Sequence, residues 1–564
     1  MRHVRHSSPL LAVLLGLALV AAACGGGSSG NKTTSNQGSN SNVPAGGTLV
    51  VGAEQEPDCM DWIGSCSGSS WGYWIANVET TPHAYNVVKK GTSWGYEVSS
   101  LLTGEADLKT APQQVVTYHI NPAAKWSDGQ PITSHDFKYM WDQIANGSDI
   151  YDTTGYANIE GVDDSNPATA VVTFKTPYAD WKSLFGGQYG LMPSHLLEGK
   201  DRDKETADGY TWSGGPWMIP QGGWQKGSQL TLVPNPNYWG TKPKLDKIVY
   251  KFITDTSAEF QAFKANETMV IYPQPQPDAV DQIKAGVPGV NQYFTDQTGN
   301  LEAVWFNNGK APFDDVKVRQ AWGYALDRTA IVNRLFGPLG VKNPINTINP
   351  TILKDYADPG AWSKYKLDLN QVNQLMTSAG WTKGADGIWA KNGQKFTAEI
   401  RSTAGNKRRE LTEQILQQQL QAAGFQLTIN NAKAGDLFGS ILPKGDYQVA
   451  IYAQVLTSFS PSNCAIQCAT SIPTAANKFS GQNWSRINVP QLTTLYQKVD
   501  SDLVEGERMA ANKQADGIGA DNDVALPVDP LPNILLWSKK IAGPVGDNPI
   551  MGPFFNSNLW GLSK

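Results

Sequence analysis

Histidine is scarce in this sequence, with six residues among 564. Two of the six lie within the first 23 residues, and the other four do not have the spacing of metal ligands. The sequence also contains no Gly-x-Ser-x-Gly nucleophile elbow and no phosphate-binding glycine loop. The usual signatures of metalloenzymes, serine hydrolases and nucleotide-binding enzymes are therefore missing. We expect a protein that is not an enzyme and that has no metal ion and no cofactor.

Paired carboxylates are the remaining candidates for acid–base catalysis. Asp58 and Asp61 form one pair in the sequence, and Asp314 and Asp315 form another. Both pairs lie in turns or at helix starts, where acidic residues cap helices. An exported hydrolase and a cell-wall scaffold or adhesion protein stay open as alternatives. Turnover of a bound solute would indicate the first, and the absence of a solute-dependent thermal shift would indicate the second.

The sequence has no excess of positive charge. Lys and Arg number 46 against 51 Asp and Glu, which gives a net charge of −5, and no basic stripe occurs. This balance argues against a nucleic-acid partner. A hydrophobic content of 40% and a mean hydropathy of −0.36 are typical of a soluble globular body. Because single cores stop growing near about 250–300 residues, we expect two or three lobes.

Long apolar runs are absent except at the start of the chain. Arg2 and Arg5 precede an apolar run over residues 10–20, and three alanines at 21–23 lead to Cys24. The pattern predicts a signal peptide over residues 1–23. It resembles a bacterial lipobox, which implies that Cys24 becomes the acylated N-terminus and anchors the protein to a membrane. A secreted protein without lipid and an uncleaved anchor are the alternatives.

The tract after Cys24 has almost no apolar residues. Residues 25–46 are mainly Gly, Ser, Asn, Thr and Gln. Such a composition cannot bury enough surface to fold, so residues 24–46 are expected to be a lipidated cysteine followed by a flexible linker. Its root-mean-square reach is roughly 25 Å.

Cysteines are few, and four remain once Cys24 is set aside. Cys59 and Cys66 form one close pair in the sequence, and Cys464 and Cys468 form another. In an exported chain these are expected to be disulfides, since no histidine near either pair suits zinc. Four cysteines allow three connectivities, of which we favour the two local bridges.

One segment combines a turn with a helix start. Residues 126–136 read Trp-Ser-Asp-Gly-Gln-Pro-Ile-Thr-Ser-His-Asp, in which Asp128-Gly129 is a turn signal. Thr133 is predicted to cap the following helix, with Asp136 three residues on. An alternating run over 113–120 precedes this segment and predicts a strand.

A second segment, residues 213–253, joins two strand-like runs through a turn. It begins with Ser-Gly-Gly-Pro-Trp at 213–217, continues through Asn-Pro-Asn-Tyr-Trp at 235–239 and ends in a β-branched run at 247–253. Both segments resemble the extracytoplasmic solute-binding proteins of ABC importers, of the oligopeptide, dipeptide and nickel-binding type (solute-binding protein family 5). One departure is Ser-Gly-Gly-Pro-Trp, where that family usually has Gly-Thr-Gly-Pro-Tyr. The resemblance extends from Gly46 to the C-terminus.

The resemblance implies an α/β protein with the two-lobed periplasmic-binding-protein-like fold (type II, cluster C) and an additional domain. In that family, lobe I is assembled from discontinuous pieces and lobe III is a large insertion. The expected ranges are 47–85, 213–305 and 530–564 for lobe I, 86–212 for lobe II, and 306–529 for lobe III.

The same resemblance implies a receptor on the extracytoplasmic face of the bacterial cell membrane. It would capture a solute by closing its lobes and deliver it to the permease subunits of an ABC importer, whose ATPase is a separate chain. The expected solute is a peptide, and the expected state is a monomer. An oligosaccharide, a metal chelate or another non-peptide solute on the same fold is the alternative.

The family also implies where the solute binds. The loop after the first strand and a strand-end segment of lobe III face each other across the solute, and these correspond to residues 63–74 and 452–460 here. The residues expected to bind the solute are Ser67, Trp71, Tyr73, Tyr452, Gln454, Thr457 and Phe459. For each of them, packing within the core is the alternative.

An acidic residue that the family uses to bind peptides is replaced by another residue type in this sequence. Peptide-binding members share a Trp-x-x-Asp-Tyr-x-x-Pro segment, whose Asp pairs with the amino terminus of the peptide, and Thr457 stands at that position. Either another acid takes this role, with Asp58 and Asp61 near the opposing loop, or the solute lacks a free amine. Arg408 and Arg409 are expected to lie on a solvated helix face, and the alternative is that one of them binds a solute carboxylate.

Overall fold

The structure is a computed structural model that describes residues 43–64, 66–91, 93–272, 277–456, 459 and 464–563. The predicted signal peptide, Cys24 and Thr457 lie outside the described residues. Helices and sheets alternate along the chain, which confirms the predicted α/β class. Of the helices in these ranges, none is long and apolar enough to cross a membrane.

The strands of the described residues form three large sheets and several small ones. In chain order they are β1 Thr48–Ala53, β2 Tyr85–Lys90, β3 Ser93–Val98, β4 Asp107–Lys109, β5 Val115–His119, β6 Ile159–Asn166, β7 Thr169–Phe174, β8 Trp217–Met218, β9 Trp224–Gln225, β10 Gln229–Pro234, β11 Lys247–Phe252, β12 Val270–Ile271, β13 Val290–Thr295, β14 Asn300–Phe306, β15 Thr382–Lys383, β16 Trp389–Lys391, β17 Gln394–Lys395, β18 Thr397–Arg401, β19 Gln426–Ile429, β20 Val449–Val455, β21 Ala525–Asp529, β22 Asn533–Ser538, β23 Ile541–Ala542 and β24 Gly561–Leu562.

The helices vary from single turns to 17 residues. They are α1 Ser70–Gly72, α2 Val78–Thr80, α3 Ser134–Asn146, α4 Ser194–Leu197, α5 Arg202–Thr206, α6 Thr256–Lys264, α7 Pro277–Ala285, α8 Val316–Tyr324, α9 Arg328–Phe336, α10 Leu369–Ser378, α11 Lys407–Ala423, α12 Ala434–Asp436, α13 Leu442–Lys444, α14 Cys464–Gln467, α15 Pro490–Ser501 and α16 Glu505–Asp521. A π-helical turn, Tyr73–Asn77, joins α1 to α2.

The largest sheet has eight strands in the order β13-β22-β12-β1-β11-β10-β8, with β9 paired to β10. Strands β1 and β11 are parallel, with Thr48 opposite Lys247 and Ala53 opposite Phe252. The run predicted as a strand at 247–253 is thus a central strand, whose β-branched residues suit burial on a pleated sheet. The strands of this eight-stranded sheet come from the beginning, the middle and the end of the described chain.

The glycines of the Ser-Gly-Gly-Pro-Trp segment lie against the backbone of α2. The N–H groups of Gly214 and Gly215 both donate to the carbonyl oxygen of Thr80, at 2.9 and 3.0 Å. A Cβ atom at Gly215 would lie 2.3 Å from the carbonyl oxygen of Glu79, so only glycine permits this approach. Asn235 Nδ2 donates to the carbonyl oxygen of Gly215 at 2.9 Å, which ties the two parts of the segment together.

The second sheet has four antiparallel strands in the order β4-β5-β7-β6. The predicted strand over 113–120 is β5, and its Val116 and Tyr118 are fully buried. Helix α3 packs on this sheet, and its capping box is the one predicted, since the Thr133 N–H donates to Asp136 Oδ2 at 2.9 Å.

The third sheet has five strands in the order β19-β18-β20-β14-β21. Strand β14 pairs with β20 from Asn300 opposite Val455 to Phe306 opposite Val449. All seven residues of β14 are buried. The strand pairs along its whole length within this sheet, so the boundary expected at residue 305 would cut through it.

Two large hydrophobic cores fill the described residues. One core takes side chains from both the eight-stranded and the four-stranded sheets, such as Val51 and Val116. The other is built on the five-stranded sheet, with Val304 and Leu416 among its members. The assignment of residues to lobes I, II and III stays a prediction, because the first two sheets share a core.

Candidate functional site

A cavity of about 200 Å³ is lined by parts of the chain that carry all three large sheets. The segments that contribute most to its walls are 67–74, 151–156, 183–189, 452–456 and 531–533. The first of these follows β1, and the fourth is the end of β20. A solute in this cavity would contact residues that are hundreds of positions apart in sequence.

Five of the seven predicted site residues line this cavity: Ser67, Trp71, Tyr73, Tyr452 and Gln454. Phe459 does not line it, and its N–H donates to Tyr96 Oη at 3.0 Å. Thr457 lies outside the described residues. The structure thus brings together the two sides of the predicted cleft, and the binding role of each residue stays a prediction.

Aromatic rings make up much of the cavity wall. Tyr452 stacks on Trp305, with ring centroids 5.2 Å apart and planes inclined by 17°. Trp484 contacts Tyr452 at 5.7 Å and Tyr151 at 6.4 Å between centroids. Trp71 is only 2% exposed and contacts the rings of Trp74, Tyr272 and Phe554, so it belongs to the core as well as to the cavity.

Three polar atoms in lining residues have no hydrogen-bond partner within the part of the chain that the structure describes. They are Tyr73 Oη, Trp74 Nε1 and Asn300 Oδ1. Burial raises the pKa of the Tyr73 hydroxyl, so it remains a neutral donor. Buried polar atoms in proteins are nearly always hydrogen-bonded, and these three are therefore the first candidates to contact a polar solute.

Only two charged side chains, Asp152 and Arg409, line the cavity among the described residues. Arg409 Nε donates to Glu302 Oε1 at 2.7 Å, and its Nη1 donates to Thr403 Oγ1 at 2.8 Å. Asp152 accepts hydrogen bonds from Thr154 and Gln482. The sequence analysis did not identify Asp152, because no motif around it indicates a binding site.

The predicted solvated helix face for Arg408 and Arg409 is wrong. Arg408 is 0% exposed and Arg409 is 2% exposed, and both donate to the buried carboxylate of Glu302 on β14. Burial raises the pKa of Glu302, but the two guanidinium groups more than offset this and hold it below its usual range. Arg409 reaches the cavity already paired, and Arg408 does not line it.

The two acids expected to replace the family's amine-binding carboxylate do not line the cavity. Asp61 is fully buried, and Arg202 binds it with Nε to Oδ1 and Nη2 to Oδ2 both at 2.8 Å. Burial raises the pKa of Asp58 to about 7, against the lowering effect of the Ser69 N–H. Asp58 therefore accepts a hydrogen bond from the backbone of the lining loop without lining the cavity itself.

Three carboxylates beside this site, Asp61, Asp149 and Asp203, have oxygens within 4.8 Å of one another. Arg202 already binds Asp61, and its Nη2 also donates to the carbonyl oxygen of Asp149 at 3.4 Å. The guanidinium group supplies a positive charge to these carboxylates, so they do not need a metal ion to offset their own charge.

Both disulfides have the local pairing that the sequence analysis favoured. Cys59 is bonded to Cys66, directly before the lining loop that begins at Ser67. Cys464 is bonded to Cys468 and encloses two further lining residues, Ala465 and Ile466. The first bridge thus constrains an irregular loop before the cavity wall, and the second joins the start of helix α14 to the residue after its end.

Comparison with known proteins identifies a matching protein family and solved structures with the same fold. The family model described as "Bacterial extracellular solute-binding proteins, family 5 Middle" matches residues 101–472. The oligopeptide-binding protein OppA of Mycobacterium tuberculosis H37Rv is 24% identical over 486 residues, which cover 82% of this chain and 76% of that protein.

Two solved structures illustrate the likeness. The oligopeptide-binding protein AppA from Bacillus subtilis, in complex with a nonapeptide, has a TM-score of 0.82 at 19% identity and covers 93% of this chain and 100% of its own. The periplasmic EDTA-binding protein EppA has a TM-score of 0.77 at 22% identity and covers 93% of this chain and 97% of its own. Their shared architecture is the predicted two-lobed periplasmic-binding-protein-like fold with an additional domain.

Proposed function

Because the chain belongs to the bacterial extracellular solute-binding proteins of family 5, we propose that it captures a peptide and delivers it to the permease subunits of an ABC importer. The observation that carries this proposal is the cavity between segments 67–74 and 452–456. These are the two segments that the family places on opposite sides of its solute. Relatives named for oligopeptide binding support a peptide as the solute.

Lobe closure is the proposed means of capture. The part of the chain with the four-stranded sheet contacts the part with the five-stranded sheet beside the cavity. Gly481 N–H donates to the carbonyl oxygen of Tyr151 at 3.1 Å, and Ala179 N–H donates to that of Asp500 at 2.7 Å. Such contacts form only when these parts approach, so a solute that bridges them favours the closed state.

The receptor is proposed to act as a monomer tethered outside the cell membrane. Acylation at Cys24 would hold the folded body near the permease, and residues 25–46 would allow it to move over roughly 25 Å. The sequence pattern before Cys24 supports this part of the proposal. An oligosaccharide or a metal chelate remains the alternative solute, because aromatic walls also suit flat or apolar ligands.

Native mass spectrometry of the purified protein, followed by thermal-shift screening, tests the proposal. Free peptides, N-acetylated peptides, oligosaccharides and metal chelates form the screen. We expect peptides to raise the melting temperature, since a ligand at 100 times its Kd stabilises the fold by about 2.7 kcal/mol. A shift with sugars or chelates alone would replace the peptide as solute, and no shift with any class would refute the receptor function.

A variant that fills the cavity tests whether the peptide binds there, and a surface variant with the same substitution is the matched control. Ala453 lines the cavity on β20, and Ala453→Phe is expected to abolish the peptide-dependent shift by occupying the space. Ala123 is an exposed residue that does not line the cavity, and Ala123→Phe should retain the full shift. Equal shifts in both variants would show that the peptide binds elsewhere.

A further inference from the structure

Asp152 is the only acidic side chain that lines the cavity among the residues described. Its Oδ1 accepts hydrogen bonds from the N–H and the Oγ1 of Thr154, at 3.0 and 2.7 Å. Its Oδ2 accepts one from Gln482 Nε2 at 2.9 Å. The Thr153 N–H also lowers the pKa of Asp152 by hydrogen bonding, so a further partner would gain mainly from the charge of the carboxylate, which none of these neutral donors offsets.

The donors around Asp152 are all neutral, which sets it apart from Asp61 and Glu302; Asp58 also has a neutral donor, the Ser69 N–H, but does not line the cavity. Asp61 is bound by Arg202, and Glu302 is bound by two arginines. Burial raises the pKa of Asp152, and the hydrogen bonds from Thr154 and Gln482 lower it only in part. Asp152 is only partly exposed, and carboxylates withdrawn from water are usually paired with a cation; here the cavity is the side from which one can come.

The aromatic residues around Asp152 also suit a cation. Tyr151, Tyr189 and Trp484 all line the same cavity. The faces of tyrosine and tryptophan rings attract a cation within about 6 Å of the ring centre. Arg409, the one cationic side chain in the described lining, donates to Glu302 and not to Asp152.

We propose that Asp152 is the counter-ion for an ammonium group of the solute. This inference rests on the proposed receptor function and names the part of the solute that the cavity selects. The acid that the family has at the position of Thr457 is thereby replaced from a different part of the chain. The ammonium is either a free amino terminus or a lysine side chain, since both present the same chemistry.

The position of Asp152 also links the ammonium to closure. Asp152 precedes β6 of the four-stranded sheet, whereas Gln482 precedes α15 beyond the five-stranded sheet. Two consecutive residues of the first part bind Gln482, because its Oε1 accepts from Tyr151 Oη at 3.4 Å while its Nε2 donates to Asp152. The ammonium would therefore join the donors on Asp152 where the two parts of the protein meet, and would favour their contact.

Competition between peptide mixtures tests this inference on the full-length folded body. Three random pentapeptide mixtures are offered to the protein, and the peptides retained are quantified by native mass spectrometry. The first has free amino termini and no Lys or Arg, the second is its N-acetylated form, and the third is N-acetylated with one Lys per peptide. The ratio of retained amine-bearing to acetylated lysine-free peptide measures the selection for an ammonium, and a loss of folded protein does not change this ratio.

The wild type is expected to prefer either the first or the third mixture, and this preference identifies the source of the ammonium. Asp152→Asn keeps the size of the side chain and should reduce the ratio at least about tenfold, because a charge-assisted hydrogen bond is lost. Asp152→Glu should retain the preference. Asp164→Asn, which removes a carboxylate that binds His135 and Lys138 outside the cavity, should leave the ratio unchanged.

Different results would overturn the role of Asp152 and the peptide receptor function. A wild-type ratio near one, or an unchanged ratio in Asp152→Asn, would overturn the role of Asp152 and leave the peptide receptor intact. Retention of oligosaccharides but no peptide from any mixture would overturn both the peptide and the ammonium. If Asp152→Asn does not fold, Asp152→Ser is measured in its place, with the same expected loss.

Discussion

Replacing Glu302 with glutamine perturbs the charge on which two buried arginines depend. Arg409 donates to Glu302 through Nε at 2.7 Å and Nη2 at 3.1 Å, and Arg408 donates through Nη2 at 3.2 Å. Glu302 and Arg408 are fully buried, and Arg409 is 2% exposed. Glutamine has the same size but no charge, so the substitution leaves two guanidinium groups without their common anion.

Removal of one partner from a buried ion pair costs about 3–5 kcal/mol. Two features of the structure place the cost of Glu302→Gln near the lower end of this range. The glutamine oxygen still accepts one hydrogen bond, and Asp529 lies close enough for Arg408 to lower its pKa, although burial raises that pKa to about 7 overall. We therefore expect a loss of about 3 kcal/mol in the free energy of unfolding at neutral pH.

The pH dependence of this loss has a definite sign. The pKa of Glu302 is lower in the folded protein than its ordinary value of 4.5, so ionised Glu302 stabilises the fold above that pH. This stabilisation is lost as the pH falls through the lowered pKa. The difference between wild type and Glu302→Gln should therefore narrow below about pH 4.5.

Urea unfolding at several pH values measures both effects. Glu399→Gln is the matched control, because Glu399 binds Arg401 at 2.7 Å but is about one-third exposed, and surface pairs contribute up to about 1 kcal/mol. A loss below 1 kcal/mol for Glu302→Gln at neutral pH, with an unchanged m-value, would refute the role assigned to Glu302.

Three further predictions concern the site, a buried acid and the anchor. Tyr73→Phe removes a hydroxyl that has no protein partner among the described residues, so the free energy of unfolding should stay within about 1 kcal/mol of the wild type. Calorimetry should show weaker solute binding, and an unchanged affinity would exclude this hydroxyl from the site. Burial raises the pKa of Glu79 to about 8, against the lowering effect of the Ser557 hydroxyl. The folded protein therefore keeps Glu79 protonated where the unfolded chain does not, and the wild type should lose stability as the pH rises from about 5 to 8. Glu79→Gln should lose less over this range in thermal melts, and equal slopes would contradict the assignment. Cys24→Ser should release the protein from membranes or leave an unprocessed precursor in fractionation experiments, and normal processing with membrane retention would contradict acylation.

Much of the fold follows from short-range rules that act within a few residues. Thr133 and Asp136 are three positions apart, so their capping box depends only on the local backbone of α3. The β-branched run at 247–253 forms β11, and each disulfide closes a short loop, Cys59–Cys66 and Cys464–Cys468. The sequence by itself was therefore sufficient for the α/β class and the motifs, and the two segments that line the cavity were implied by its resemblance to the family.

Only the tertiary structure decided which charged residues reach the cavity. Asp152 and Gln482 are 330 positions apart, and nothing in either local sequence indicates that they meet. Arg408 and Arg409 have the appearance of a polar helix start, yet α11 faces β14 and its buried Glu302. Burial and ion pairing depend on how distant elements pack, because the free energy of a charge is set by its surroundings more than by its neighbours in sequence.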